Sequence, residues 1–395
     1  YCEPWANREA PLKALKWMFD KEAPLLFRPQ LDWDQWRWGL KFLAQCNDTA
    51  FERNVQQIVA LGAYSHAALK DLVASTGIEY NRLERGIAHF YTDQKSFDAA
   101  GHAVELMRKF GVQRRLVSRD ELLKIEPAFK AYGDKITGGT YTSTDESGDA
   151  RVFTQELARR CAARGAQFLY GHDVLRLNKI GDAIDSVAVI ARNTGAGGQK
   201  DFILKADAFV VACGSYSAPL LRTVGVDLPI YPGKGYSATF PLLRPEGAPM
   251  VSTIDDGKKI AMSRLGNVLR VAGTIELGGF DMSLDSPVAR ARCHMLSRRI
   301  AEILPGVCDT RTPEEGGNPQ YWTGLRPATP TNIPFIGQTR VGQLWVNAGH
   351  GTLGWTHGAG SGKALAELLS GEVPAMNFGF LGVQAPRAVR GAVAA

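Results

Sequence analysis

The sequence lacks most of the patterns that would assign a function at first sight. Its six cysteines form no C-x-x-C pair and its seven histidines show no metal-ligand spacing, which favours free thiols and argues against a metal site. It has no Walker loop and no G-x-S-x-G motif, so nothing indicates P-loop or serine-hydrolase chemistry. The net charge of +6 is spread without runs of one sign, which argues against a nucleic-acid partner.

Long apolar runs are also missing. No stretch reaches the roughly 18 apolar residues of a membrane-spanning helix, and no signal-peptide pattern is visible, so we expect a cytoplasmic protein. With 395 residues, of which 45% are hydrophobic and 22% charged, the chain is long for one core and predicts two closely connected domains.

Tryptophan is concentrated near the start of the sequence. Residues 1–50 contain five of the eight tryptophans: Trp5, Trp17, Trp33, Trp36 and Trp38. Such a cluster suits either a membrane interface or burial against the rest of the fold. The segment carries as many acidic as basic residues, which gives no attraction to an anionic surface, so we expect it to pack on the fold.

Local patterns predict a mixed α/β fold in which helices and strands alternate. Helical spacing and capping signals predict helices over 51–75, 96–110, from the capping box Ser118-x-x-Glu121 to Pro127, from about 150 to Gly165, and from Ser286 to Leu304. Alternation and turn residues predict strands over 86–92, 167–170, 173–177, 185–193, 201–209 and 208–217, and a hairpin turning at Gly266-Asn267. The apolar run 208–217 is typical of a buried parallel strand that delivers its carboxyl end to a ligand.

A glycine-rich stretch follows the last predicted strand and precedes the last predicted helix. Gly349, Gly351 and Gly354 spell G-x-G-x-x-G. The helix ends near Gly371 and too little chain follows for a βαβ unit, so we do not expect a dinucleotide fingerprint here. Six glycines within fourteen positions still favour the approach of a ligand to bare amides at the start of a helix, rather than a plain turn.

The sequence around this loop resembles the D-amino-acid oxidase family of flavoproteins. The resemblance rests on "YWTGLRPATPTNIPFIG" and "LWVNAGHGTLGWTHGAGSG", and continues through "DESGDARVFTQELA", "KADAFVVACGSYS", "YPGKGYS" and "LRVAGTIEL". It implies FAD as cofactor, a Rossmann-like FAD-binding domain and an antiparallel-sheet substrate domain with helices. The family's opening strand and G-x-G-x-x-G have no counterpart before Tyr1, so we expect the FAD-binding domain to be truncated at its N-terminus.

The resemblance also predicts the order of the parts. We expect a Trp-rich segment at 1–50, substrate-domain pieces at 51–140 and 229–335, FAD-domain pieces at 141–228 and 336–375, and a tail at 376–395.

Residues matching the family's motifs give the expected site. Arg326, in "TGLRP", matches the arginine that holds a substrate carboxylate, and guanidinium chemistry independently suits that role. Lys234 and Tyr236 match a segment at the flavin's reactive side and are expected to line the substrate pocket, and His350 is expected near the flavin. Thr331-Asn332 replaces a common Asp-Gly, which puts the local turn in question. The residues expected to contact FAD are Val174, Cys213, Gly214, Ser215, Gly349, Gly351, Thr352, Leu353, Gly354, Trp355 and Thr356.

The activity implied is an FAD-dependent dehydrogenase that converts D-amino acids, D-alanine first, to 2-oxo acids and ammonia. A hydride would pass from Cα to flavin N5, and the electrons to a quinone or respiratory carrier at the inner face of the cytoplasmic membrane, with peripheral membrane contact. Two alternatives stay open: an oxygen-using glycine, sarcosine or proline oxidase, and a chain that binds amino acids without flavin. Oligomerisation is also left open.

Overall fold

A computed structural model describes residues 4–17, 23–192 and 201–383. Within these ranges nine α-helices are present: α1 (Ala10–Trp17), α2 (Trp33–Ala44), α3 (Asp48–Thr76), α4 (Gln94–Lys109), α5 (Arg119–Ile125), α6 (Ala150–Ala163), α7 (Ser217–Arg222), α8 (Pro287–Ile303) and α9 (Gly354–Leu369). The same ranges contain fifteen strands: β1 (Leu25–Phe27), β2 (Ile87–Tyr91), β3 (Arg114–Ser118), β4 (Gly138–Thr142), β5 (His172–Ile180), β6 (Ala183–Ala191), β7 (Phe202–Lys205), β8 (Phe209–Val211), β9 (Tyr231–Pro241), β10 (Ser252–Asp255), β11 (Ile260–Leu265), β12 (Val268–Leu277), β13 (Gln320–Ala328), β14 (Phe335–Gln338) and β15 (Leu344–Ala348).

The largest sheet has nine strands in the order β13-β9-β12-β11-β10-β2-β4-β3, with β1 paired to β12. Most pairs are antiparallel, as expected, but β10 runs parallel to β2 and β1 parallel to β12. The sheet is therefore mixed. One of its faces forms the main core with α8, where Tyr236, Phe240, Val271, Leu296 and Ile300 pack together. Burial of such side chains is the dominant stabilising contribution of a core.

Two small sheets complete the fold. β14, β15 and β8 form one, in which β15 and β8 are parallel, and β5, β6 and β7 form the other. Helix α9, which follows β15, packs closely against α3. A Cβ on Gly360 would lie 2.6 Å from Ser65 Cα, and the Gly360 amide donates to Ser65 Oγ at 2.9 Å. This glycine therefore serves helix packing rather than ligand binding.

Some predicted elements differ from those observed. Residues 167–170 form no strand, and the strand predicted over 208–217 is only the three residues of β8, with Val210 exposed. After Val211 the chain turns into a short 3₁₀ helix and then α7, because small residues there permit a tight turn. The predicted capping box is half formed: Ser118 Oγ accepts the Glu121 amide, while the Glu121 carboxylate pairs with Arg115.

The Trp-rich segment packs on the fold only in part. Trp38 is buried and its indole N–H donates to the Ala328 carbonyl at 2.8 Å, but Trp33 and Trp36 are exposed. None of the described helices is both long enough and apolar enough to cross a membrane.

Candidate active site

Arg326 lies on β13 with its guanidinium over a glycine of the neighbouring strand. Its cross-strand partner is Gly233, and the side chain leans along β9 so that its Nη1 would be 1.6 Å from a Cβ placed on Gly235. Only glycine at 235 leaves this room. The guanidinium makes no hydrogen bond or ion pair with the described residues. Burial, and then the charge of Arg270, lowers the pKa of Arg326 to about 10, so it stays positive at neutral pH, and no described residue serves as its counter-ion.

The residues on either side of Arg326 bind two different loops. The carbonyl of Leu325 accepts a hydrogen bond from Ser215 Oγ at 3.2 Å, and the carbonyl of Pro327 accepts one from the Gly351 amide at 2.9 Å. These loops follow β8 and β15, whose carboxyl ends meet at one edge because the strands are parallel. Two of the predicted clusters, 213–215 and 349–356, are thus brought to the predicted arginine.

The second loop ends in a helix start that has no side-chain cap. Gly349 and Gly351 have φ angles of 91° and 54°, a left-handed region that glycine adopts without strain. Leu353 at the N-cap offers no acceptor, and no acidic residue lies in the first turn of α9. The amides of Gly354, Trp355 and Thr356 donate to no acceptor among the described residues. Free amides and the positive end of the helix dipole suit an anion or an electron-rich ring edge.

His350 lies within this loop as a neutral side chain. Its Nε2 is 3.0 Å from Ser361 Oγ, and that hydroxyl donates to the His357 carbonyl at 2.8 Å. Because the hydroxyl proton is already used, His350 Nε2 carries the proton and its Nδ1 keeps a lone pair. Burial lowers the pKa of His350 to about 4, so it adds no charge at neutral pH.

A cavity of about 630 Å³ opens between the loop after β8 and the strand that carries Arg326. Ser215 in its wall is buried, whereas Trp322 at its rim is 56% exposed. It is lined by Cys213, Gly214, Ser215, Tyr216, Met282, Leu284, Tyr321, Trp322, Thr323, Gly324 and Leu325.

Lys234 and Tyr236 lie on the other face of the sheet from Arg326. Alternation along β9 turns them towards α8, where Tyr236 Oη donates to Glu276 Oε2 at 2.5 Å and Lys234 Nζ donates to the Ser283 carbonyl at 2.6 Å. The structure therefore does not bring them together with Arg326. Both faces of β9 carry polar residues, so the alternation along this strand does not show which face a given residue occupies.

Three further predicted positions are accounted for by the structure. Val174 lies on β5, in a separate sheet, and is half-exposed. The Trp355 ring packs edge-on against Tyr80 and Phe153, so only its backbone faces the end of the loop. Asn332 adopts φ 60° and its Oδ1 accepts the Trp5 amide at 2.8 Å; the turn is kept because asparagine tolerates the left-handed region.

Sequence reasoning missed two residues of this face, Gly235 and Arg270. Arg270 on β12 contacts Ser237 Oγ and Thr239 Oγ1 of β9, at 3.1 and 3.3 Å. The alternation of "VLRVAG", with Leu269 and Val271 in the core, was the signal that could have placed Arg270 opposite the core.

Comparisons with known proteins agree with this architecture. The D-amino acid dehydrogenase of Dechloromonas aromatica is 46% identical over 381 residues, covering 96% of this chain and 88% of its own length. That of Methylobacterium radiotolerans is 40% identical over 374 residues, covering 95% and 85%.

Among solved structures, glycine oxidase from Geobacillus kaustophilus gives a TM-score of 0.67 at 23% identity, with 81% of each chain covered. L-proline dehydrogenase from P. horikoshii gives 0.66 at 18%, with 80% of each covered. These likenesses concern the fold. Residues 26–368 match the DAO family, described as FAD dependent oxidoreductase. The chain belongs to the DAO family of FAD-dependent oxidoreductases.

Proposed function

We propose that the protein oxidises D-amino acids, D-alanine first, to 2-oxo acids and ammonia, with the substrate carboxylate on Arg326. The observation that carries the proposal is the guanidinium of Arg326, which has no partner among the described residues. It lies between the loops after β8 and β15, which bind the carbonyls of Leu325 and Pro327. A planar guanidinium binds a carboxylate through two parallel hydrogen bonds, which fixes orientation as well as position. The curated relatives quoted above, all named D-amino acid dehydrogenases, support the same substrate class.

The residues present fit FAD. The amides of Gly354, Trp355 and Thr356 would hold the electron-rich edge of its ring system, because they have no acceptor in the described chain. The turn at Cys213–Ser215 offers a close backbone approach, since a Cβ on Gly214 would meet nothing within 4 Å. When bound, FAD supplies the two-electron acceptor for the hydride that leaves the substrate Cα.

The chain's own contribution is binding and alignment. Arg326 would anchor the carboxylate, and the loops beside it would exclude water from the reacting carbon. A neutral amine releases a hydride with the help of its nitrogen lone pair, so no side-chain base is needed. His350 is neutral and would not compete with Arg326 for the carboxylate. The imine product then hydrolyses in water.

We further propose a quinone or respiratory carrier as electron acceptor, reached through peripheral contact with the inner face of the cytoplasmic membrane. Helix α2 supports this contact, because Trp33, Trp36, Leu40 and Leu43 are 74%, 46%, 65% and 52% exposed and follow one face of the helix. Replacing Trp33 and Leu40 with serine should reduce sedimentation with phospholipid vesicles, whereas Val373→Ser, at an exposed apolar site elsewhere, should not. If the wild-type protein and both variants sediment equally with the vesicles, the membrane contact is rejected.

The activity is tested by incubating the purified chain with FAD, desalting, and adding D-alanine without oxygen. Retained flavin that is bleached by D-alanine and not by L-alanine is the expected result, and Arg326→Lys should slow bleaching at least tenfold. Flavin that D-amino acids do not bleach would reject the proposal. The oxidase alternative stays open, because the likeness to glycine oxidase concerns the fold alone. It predicts rapid oxygen consumption with glycine, whereas our proposal predicts faster reduction of a quinone analogue with D-alanine.

A further inference from the structure

A second guanidinium shares the sheet face that carries Arg326. Cross-strand partners project from the same face; Arg326 is paired with Gly233, and Arg270 with Thr239. Alternation puts Gly233, Gly235, Ser237 and Thr239 of β9 on that one face. The two arginines therefore stand on the neighbouring strands to either side of β9 and project above it together.

The two side chains lean towards each other. Arg326 reaches along β9 to Gly235, where its Nη1 would be 1.6 Å from a Cβ. Arg270 reaches in the opposite direction, with Nη2 3.1 Å from Ser237 Oγ. Alternate residues of a strand are about 6.7 Å apart, so the guanidinium groups converge to a separation that one carboxylate can bridge.

Nothing in the described chain neutralises this pair. Neither arginine forms an ion pair with a described carboxylate. Burial lowers the pKa of Arg270, and the charge of Asp149 raises it by a smaller amount. Asp149 forms no ion pair with Arg270, and its Oδ1 already accepts hydrogen bonds from the amides of Arg151 and Val152. Two neighbouring cations without a counter-ion repel each other, and an anion between them would relieve that repulsion.

Arg270 is also held in place rather than free. Besides donating hydrogen bonds to Ser237 and Thr239, it lies against the Trp322 ring, whose centroid is 5.6 Å from the guanidinium carbon. An arginine fixed by hydroxyl groups and an aromatic ring loses little further freedom when it binds. Trp322 also lines the cavity described above, so one wall of that cavity lies beside Arg270.

We propose that Arg270 is a second carboxylate-binding residue, and that it and Arg326 together hold the single carboxylate of the substrate. The inference rests on the proposed function, because it extends the site assigned there to Arg326. It makes substrate recognition depend on a two-arginine clamp rather than on one residue. The same geometry accounts for the glycine at 235 and the hydroxyl groups at 237 and 239, which respectively make room for one arginine and position the other.

Binding of propionate, the carbon skeleton of alanine without its amine, tests the clamp without turnover. The FAD-loaded protein is titrated with propionate by isothermal calorimetry, and propionamide serves as the uncharged comparison. We expect Arg270→Gln to weaken propionate binding at least tenfold and Arg270→Lys at least threefold, because lysine keeps the charge but loses the planar fork. Propionamide should bind poorly to every variant.

Arg264→Gln is the matched control. Arg264 lies on the adjacent strand β11, pairs with the core residue Leu269, and donates to the carbonyls of Pro245 and Gly266. We expect wild-type propionate binding for this variant. If Arg270→Gln does not fold, Arg270→Lys decides.

Unchanged propionate binding in the folded Arg270 variants would overturn the clamp. The clamp would also be overturned if these variants weakened the binding of succinate and left that of propionate unchanged, since Arg270 would then serve a second anion. Failure of the proposed function is a different outcome: the wild-type protein would bind propionate through Arg270 and still oxidise no D-amino acid.

Discussion

Replacing Gly235 with alanine displaces Arg326 without changing any charge. The added Cβ would lie 1.6 Å from Arg326 Nη1 and 2.5 Å from its Cζ, whereas Cβ contacts under 3.0 Å are essentially never seen. The guanidinium must therefore retreat by about 1.4 Å or more. Gly235 is not among the residues with positive φ and lies within the extended strand β9, so the backbone accepts alanine.

The expected loss follows from this displacement. A reacting group misplaced by about 1 Å can cost about 100-fold in rate, which corresponds to about 2.7 kcal/mol of transition-state stabilisation. We expect kcat/KM for D-alanine to fall by that factor or more. Stability should change little, because the atoms that move belong to the end of a flexible side chain; overpacking costs about 1–3 kcal/mol where a tightly packed core must shift.

The assay is D-alanine-dependent reduction of a quinone analogue by the FAD-loaded protein, at equal flavin content for each variant. Gly39→Ala is the control, because a Cβ at that position of α2 would meet nothing within 4 Å. D-alaninamide has no carboxylate, so wild type and Gly235→Ala should differ much less with it than with D-alanine.

Wild-type kcat/KM in a folded Gly235→Ala protein would refute the reasoning. It would mean that the substrate carboxylate does not depend on the position of Arg326. An equal loss with D-alanine and D-alaninamide would also refute it, because the damage would then not concern carboxylate binding.

Three further results are expected. Gly360→Ala should lower the free energy of unfolding in urea by about 1–3 kcal/mol, because the added Cβ contacts Ser65. Gly362→Ala should not, because its Cβ would meet nothing within 4 Å. Equal effects of the two variants would contradict the packing argument. Asn332→Ala should cost about 1–2 kcal/mol in thermal melts because its φ is 60°, and Asn332→Gly less; the reverse order would contradict this. Burial lowers the pKa of His357 from 6.5 to about 3. Below pH 6.5 the unfolded chain binds a proton that the folded chain does not, so the free energy of unfolding falls as the pH drops from 6.5 towards 3. His357→Asn should remove up to about 1.4 kcal/mol per pH unit from this dependence. If the pH dependence of stability is unchanged in the variant, His357 does not contribute to it.

Many of the local elements could be predicted because their signals lie within a few residues of each other. Gly77 in left-handed conformation ends α3, Ser286 caps α8 with Pro287 in its first turn, and Gly266-Asn267 turns the β11–β12 hairpin, all as the sequence indicates. The strand predicted over 208–217 was too long, since apolar composition does not show where a chain bends towards α7.

The candidate site likewise contains features that short sequence motifs predict and features that depend on the tertiary structure. The sequence by itself determined the family and the cofactor, and it predicted the loop at 349–354 and the arginine at 326, because each belongs to a short contiguous motif. The tertiary structure decided that Leu325 and Pro327 hold two loops about Arg326, and that Lys234 and Tyr236 face α8 instead. It also brought Arg270 over β9 beside Arg326. These placements depend on the pairing of β9 with strands distant in sequence, and a strand with polar residues at both alternations does not by itself encode which face carries the candidate site.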